Sequence, residues 1–152
     1  MTELTRIVKQ LERSFVGPAW HGPSVMEALA GVDHKAASVR KVAGRHTIWE
    51  ISLHVAAWEQ EVDRRLRGES IDMTNDFDWP QAPTSSAANW QRTLDEMRLA
   101  HAALVKTVKK LNLATLEKKV AVVGGKKQEV STLLYGIIQH NVYHAGQIAL
   151  MK

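Results

Sequence analysis

The sequence predicts an all-α fold: a four-helix bundle with short extra helices and a small hairpin before the last helix. Three observations predict it. Apolar residues recur at three- and four-residue spacing through four long stretches, as amphipathic helices require. Most glycines and all prolines fall between those stretches. Strand-like sequence is confined to one short segment beside Gly124-Gly125. Four long helices with one compact core are most simply satisfied by a bundle.

Leu4, Ile7, Val8, Leu11 and Phe15 predict the first helix, ended by Gly17 and Pro18. A short piece begins at Pro23, a favourable first-turn residue, and stops at Gly31. Asp33 is placed to cap one further turn around Ala36–Val39. Thr47-Ile48-Trp49-Glu50 reads as a capping box, after which Ile48, Ile51, Val55, Trp58, Val62 and Leu66 mark a long helix running to Gly68. Residues 69–86 contain Pro80, Pro83 and four acids and read as a loop, long enough to suggest a functional role. Trp90, Leu94, Met97, His101, Leu104, Val108 and Leu111 follow in a third long helix. Residues 120–123 and 126–130, joined by Gly124-Gly125, predict the hairpin. Ser131 or Thr132 is the expected cap of the last helix, which carries Leu133, Ile137, His140, His144 and Ile148. Gly136 and Gly146 inside it lower helix propensity, and close packing is the expected reason.

Composition narrows the chemistry. At 152 residues, of which 45% are hydrophobic, residues 1–152 suit one globular domain with a real core. No apolar run approaches the roughly 18 residues of a membrane span. The amphipathic N-terminus lacks the apolar block of a secretory signal, so the cytoplasm is the expected location. With no Cys there is no disulfide framework, iron–sulfur cluster or cysteine nucleophile. A transition metal would have to sit on imidazoles and carboxylates, and the chain has seven His. The net charge of +4 is concentrated at residues 106–127, where seven Lys face Glu117 alone. No aromatic or Arg residue is interleaved there, so a solvated face is expected rather than a nucleic-acid site, with attraction of an anionic substrate as the other reading.

His140-Asn141-Val142-Tyr143-His144 is the first chemical constellation. Spacing i, i+4 puts both imidazoles on one helix face, where both can reach one metal ion. Seven histidines make such a pair unremarkable by chance, but these two lie in register with Leu133, Ile137 and Ile148. Two inward imidazoles need partners; a metal supplies one, and ordinary hydrogen bonding in the core is the alternative. A third ligand must come from another helix. His54 flanks the apolar stripe of the second long helix and His101 lies within that of the third, and each can equally be a packed core residue. His21 beside Trp20 precedes a helix start, while His34 and His46 lie in connections and are expected at the surface. Trp49, Trp58 and Trp90 are expected mainly in the core; Trp20 and Trp79 lie in connections and are candidates to line a pocket. No nucleotide-binding glycine motif, nucleophile elbow or HExxH is present.

His46-Thr-Ile-Trp-Glu-Ile-Ser-Leu-His-Val-Ala-Ala-Trp-Glu59 and His140-Asn-Val-Tyr-His-Ala-Gly-Gln-Ile148 together resemble the DinB-like (YfiT-like) family of metalloenzymes. Gly17-Pro-Ala-Trp-His-Gly-Pro-Ser24 is similar to the entry segment of one branch, and the resemblance covers essentially the whole chain. It implies a four-helix bundle in which a His of the second helix and an HxxxH of the last bind a divalent metal. Carried onto this sequence, the implied ligands are His54, His140 and His144. The wider superfamily includes transferases and an isomerase that use low-molecular-weight thiols, and its bundles commonly pair, so a homodimer is expected. The sequence runs four residues beyond Ile148, so no contribution from a longer C-terminal tail is expected.

Three neutral imidazoles leave at least one position free on the ion, the arrangement expected of a catalytic metal. Zinc fits these donors best, with nickel, iron and manganese as alternatives. The leading expectation is therefore transfer of a low-molecular-weight thiol co-substrate to a small electrophilic substrate. Metal-dependent hydrolysis and a non-catalytic metal- or ligand-binding bundle are the competing readings. Asn141, Tyr143 and Gln147 adjoin the implied ligands and are candidates to orient them.

Overall fold

A computed structural model describes residues 1–69 and 75–152. The long helices are α1 (Glu3–Phe15), α4 (Ile48–Leu66), α6 (Ala87–Val108) and α7 (Val130–Met151), and they form the predicted bundle. Shorter helices α2 (Val25–Leu29) and α3 (His34–Ser38) lie between α1 and α4, and α5 (Asn75–Asp78) lies between α4 and α6. A two-stranded antiparallel hairpin, β1 (Lys119–Ala121) and β2 (Lys127–Glu129), precedes α7, with Val120 opposite Gln128. No helix among the described residues is long and apolar enough to cross a membrane.

Local chemistry sets most helix starts. The Thr47 hydroxyl accepts from the Glu50 amide at 3.1 Å while the Glu50 carboxylate accepts from the Thr47 amide at 2.7 Å, the reciprocal capping box expected from sequence. Asp33 caps α3 through the Ala36 amide at 2.8 Å. Elsewhere the structure differs from the sequence reading. Pro23 lies outside α2, because Ser24 is its N-cap and forms a second capping box with Glu27. Ser131 and Thr132 lie inside α7, which begins at Val130 after Glu129 with no side-chain cap. There the hairpin leads directly into the helix, and the Val130 amide donates to the Lys118 carbonyl at 2.9 Å. Residues 113–117 form a 3₁₀ turn capped by Asn112, and the expected loop at 69–86 contains α5. Residues 70–74 of that loop lie outside the described residues.

The core has two apolar layers. One gathers Phe15, Val25, Trp49, Trp90, Met97 and Ile148; the other gathers Ile7, Leu11, Val62, Leu104, Leu134 and Ile137. Burial of each such large side chain contributes roughly 1.5–3 kcal/mol. Trp49 and Trp90 meet edge to face at 5.0 Å, and both indole N–H groups are satisfied, by Thr93 Oγ1 at 2.9 Å and the Val32 carbonyl at 2.8 Å. Four buried polar side chains, Ser14, Glu59, His101 and Asn141, come from the four long helices. Glu59 accepts from Asn141 Nδ2 at 2.8 Å and meets His101 Nδ1 at 3.1 Å, while the His101 ring stacks on Phe15 at 4.1 Å.

Gly146 does not serve close packing: a Cβ built there meets nothing within 4 Å, and the same holds at Gly136. Gly146 is exposed within α7 and has ordinary helical geometry. Gly146→Ala is therefore expected to stabilise the protein by about 0.5–1 kcal/mol in urea denaturation, through helix propensity and a less flexible unfolded chain. A loss of stability would show that this glycine is required for contacts outside the chain.

Candidate metal centre

Helices α4 and α7 pack along one another and bring together three histidines far apart in sequence. The i, i+4 spacing in α7 stacks His140 and His144 on one face, and His54 arrives from α4 opposite them. His140 Nε2 lies 3.0 Å from His54 Nε2 and 3.1 Å from His144 Nε2. One candidate ligand atom from each residue lies within 4.8 Å of the others. His54 and His144 are buried and His140 is half-buried. The structure thus brings together the three residues singled out in the sequence.

The outer nitrogens show how the rings are oriented. His54 Nδ1 lies 2.6 Å from the Asp78 carbonyl oxygen, which can only accept, so this nitrogen carries the proton. His144 Nδ1 faces Gln147 Oε1 at 2.7 Å and donates in the same way. In the neutral rings, Nε2 of both residues therefore presents a lone pair to the interior. His140 Nε2 faces both and, carrying at most one proton, can satisfy only one of them. Its own Nδ1 is buried with no partner among the described residues. Burial holds the His54 imidazole below its ordinary pKa, lowers His140 to about 3 with help from His144 and His54, and lowers His144 to about 4. All three are consequently neutral near pH 7, the state in which imidazole ligates metal.

The geometry fits a small divalent ion. Tetrahedral ligation at about 2.0–2.1 Å separates donor nitrogens by roughly 3.3 Å, so the 3.0 and 3.1 Å contacts need only a slight outward shift. Converging lone pairs are unfavourable among themselves, and a cation at their centre would satisfy them together.

The surrounding side chains complete the centre. The Trp79 ring stacks flat on His54, with centroids 3.8 Å apart, and His46 stacks on its other face at 3.5 Å. Trp58 approaches His54 and His140 at 6.3 and 5.9 Å, and its indole N–H donates to Asp78 Oδ1 at 2.7 Å. Asp78 thus orients a ring of the triad and an adjacent indole. Gln147 plays the corresponding role for His144, and its amide donates to the Tyr143 hydroxyl at 3.2 Å. Asn141 points away, into the polar layer with Glu59 and Ser14. A cleft of about 530 Å³ opens beside His144, and a smaller one of about 270 Å³ lies beside His140, Trp58 and Gly136.

The remaining candidates separate cleanly. His101 belongs to the polar layer, although its ring also borders surface clefts beside α1. His21 is exposed, and Trp20 stands fully in solvent rather than lining this centre. His34 hydrogen-bonds Ser85 at 3.0 Å. Sequence reasoning placed His46 at the surface, and it is exposed, but its stacking on Trp79 also makes it a wall of the cleft. Asp78 was missed; its only local signal was an acid beside a tryptophan in an unusually long loop. Among the seven lysines of residues 106–127, none lines either cleft beside the triad.

Comparison with known proteins identifies a family model, described as the DinB superfamily, that matches residues 20–148. No curated protein and no solved structure matches the chain.

Proposed function

The chain belongs to the DinB superfamily, and from that premise we propose that it is a divalent-metal-dependent enzyme that transfers a low-molecular-weight thiol to an electrophilic substrate, with His54, His140 and His144 as ligands. The observation that carries this reading is the convergence of three Nε2 atoms, two of which, on His54 and His144, present lone pairs inward because their outer nitrogens donate to Asp78 and Gln147. Zinc suits three imidazoles best, and nickel, iron or manganese can use the same donors. Bound there, such an ion would supply Lewis acidity, stabilising the deprotonated form of a thiol or water at its free position.

The protein's own groups define the rest. Asp78 and Gln147 hold two imidazoles in the ligating tautomer, and Trp79 covers the His54 face against water. The chain has no Cys, so a reacting thiol must enter with a co-substrate. The cleft beside His144 provides the approach for both reactants. His46 favours hydrolysis as the second reading, because an exposed imidazole on the cleft wall can accept a proton from water.

Metal analysis of freshly purified protein should find one divalent ion per chain, and a His54→Ala, His140→Ala, His144→Ala variant should contain none. Equal metal in the two proteins would refute the centre. The metal-loaded protein should consume a low-molecular-weight thiol in the presence of reactive electrophiles. Failure across a panel, with ester or amide cleavage instead, would replace thiol transfer by hydrolysis.

A further inference from the structure

The cleft beside His144 has one chemical asymmetry that the metal reading does not use. Beside His46, His144 and Gln147 its lining is largely apolar: Trp79 and the buried Ile51 line it, with the exposed Val42, Tyr143 and Leu150. These last three residues are 50%, 63% and 91% exposed, a concentration of water-facing apolar surface beside a candidate reaction centre. Arg45 also lines the cleft, and it forms no ion pair with any described residue.

Among the described residues, the two acids nearest the cleft, Glu50 and Asp78, are already engaged. Glu50 is bound by Arg40 at 3.0 and 3.3 Å and by the Thr47 amide, with His46 at 3.6 Å. Asp78 is held by Trp58 and His54. The backbone carbonyl of Arg45 accepts from the Arg40 guanidinium, which anchors the segment, and no described residue forms an ion pair with the Arg45 side chain. An uncommitted guanidinium at the mouth of an apolar cleft is suited to a carboxylate, whose two oxygens match its paired donors. Polyanions would find no second cation among the residues lining this cleft.

We propose that the cleft binds a small monocarboxylic acid with an aromatic or alkyl body, its carboxylate held by Arg45 and its body lying against Ile51, Tyr143 and the edge of Trp79 toward His144. This names the substrate class of the proposed enzyme and rests on that reading for its catalytic meaning. The binding step itself does not require a metal. The cleft volume of about 530 Å³ falls within the range of roughly 300–1,000 Å³ common for small-molecule sites.

Calorimetric titration of 3-phenylpropionate and its uncharged amide, 3-phenylpropanamide, into chelator-treated and zinc-loaded protein tests the proposal. The acid should bind about tenfold more tightly than the amide in both forms, equivalent to about 1.4 kcal/mol. Arg45→Gln should reduce the acid to the affinity of the amide and leave the amide unchanged. Arg45 is exposed and makes no side-chain ion pair with any described residue, so the variant should keep the wild-type circular dichroism and melting curve. Equal binding of acid and amide, or an Arg45→Gln variant with undiminished acid affinity, would overturn the proposal. Acid preference confined to the zinc form and indifferent to Arg45 would also overturn it, placing the carboxylate on the metal and supporting the metal centre. Failure of the protein to bind zinc would sink the metal reading while leaving the chelator-treated titration decisive for Arg45. Loss of acid binding as sedimentation shows self-association would assign the apolar rim to a second copy and refute the small-molecule site.

Discussion

Zinc is expected to stabilise the folded protein by about 2.7 kcal/mol at a free concentration one hundred times its dissociation constant, and His140→Ala should remove that gain. For a chain of this size each kcal/mol moves the melting temperature by about 2–4 °C, so the shift between chelated and zinc-loaded protein should be about 5–11 °C. His140 is the informative substitution because its Nε2 contacts both other histidines of the triad, at 3.0 and 3.1 Å. Without an ion, the centre should make stability depend on pH. Burial lowers the native pKa of His54, brings His140 to about 3 and brings His144 to about 4, against about 6.5 in the unfolded chain. Below pH 6.5 the unfolded state therefore binds protons that the native state excludes. Stability should be nearly flat above pH 7 and fall from about pH 6.5 toward 4, by up to roughly 1.4 kcal/mol per pH unit for each affected histidine. Glu27, Asp33 and Glu50, whose carboxyl pKa values are lowered by hydrogen bonding, add a separate loss only at more acidic pH. Denaturation of chelator-treated protein at pH 7.5, 6 and 5 checks the sign. Equal stability at all three values would show that the imidazoles do not resist protonation.

Glu59→Ala should be the most destabilising substitution outside the apolar layers. Glu59 is completely buried, and its carboxylate faces both His101 Nδ1 and Asn141 Nδ2. Removing it leaves two buried donors without their acceptor and opens a cavity between α4, α6 and α7. Loss of one partner of a buried charged network costs about 3–5 kcal/mol, which corresponds to a drop of roughly 10 °C. Glu59→Gln retains the volume and one acceptor oxygen and should recover part of the loss. Urea denaturation of the two variants beside wild type measures both effects. A Glu59→Ala variant within 1 kcal/mol of wild type would show that the layer contributes little to stability. Neither variant removes a metal-facing nitrogen, so metal content below the melting transition should remain that of wild type.

The local parts of the fold were legible because they depend on neighbours within about four residues. Thr47 and Glu50 form the same capping box in the chain as in the sequence pattern, and Asp33 caps its turn for the same reason. The pairing of His140 with His144 follows from one turn of α7. Ser131 and Thr132 failed as caps because the entry into α7 is set by the hairpin, whose partner residues at 118 and 119 are more than ten positions away. Gly136 and Gly146 were read as packing residues because sequence records a missing side chain but not the space around it.

Sequence alone determined that the chain forms a helical bundle, that two imidazoles share one face of its last helix, and that any thiol chemistry must use a thiol from elsewhere. The resemblance to a family supplied His54 as the third candidate. Only the tertiary structure decided that His54 meets His140 across 86 positions of chain, that Asp78 and Gln147 turn the lone pairs inward, and that Trp79 roofs the centre between two histidines. Periodicity reports which face of a helix is buried. It carries no information on which ring nitrogen faces a neighbour or which loop side chain covers it, because those depend on contacts made only when distant segments pack.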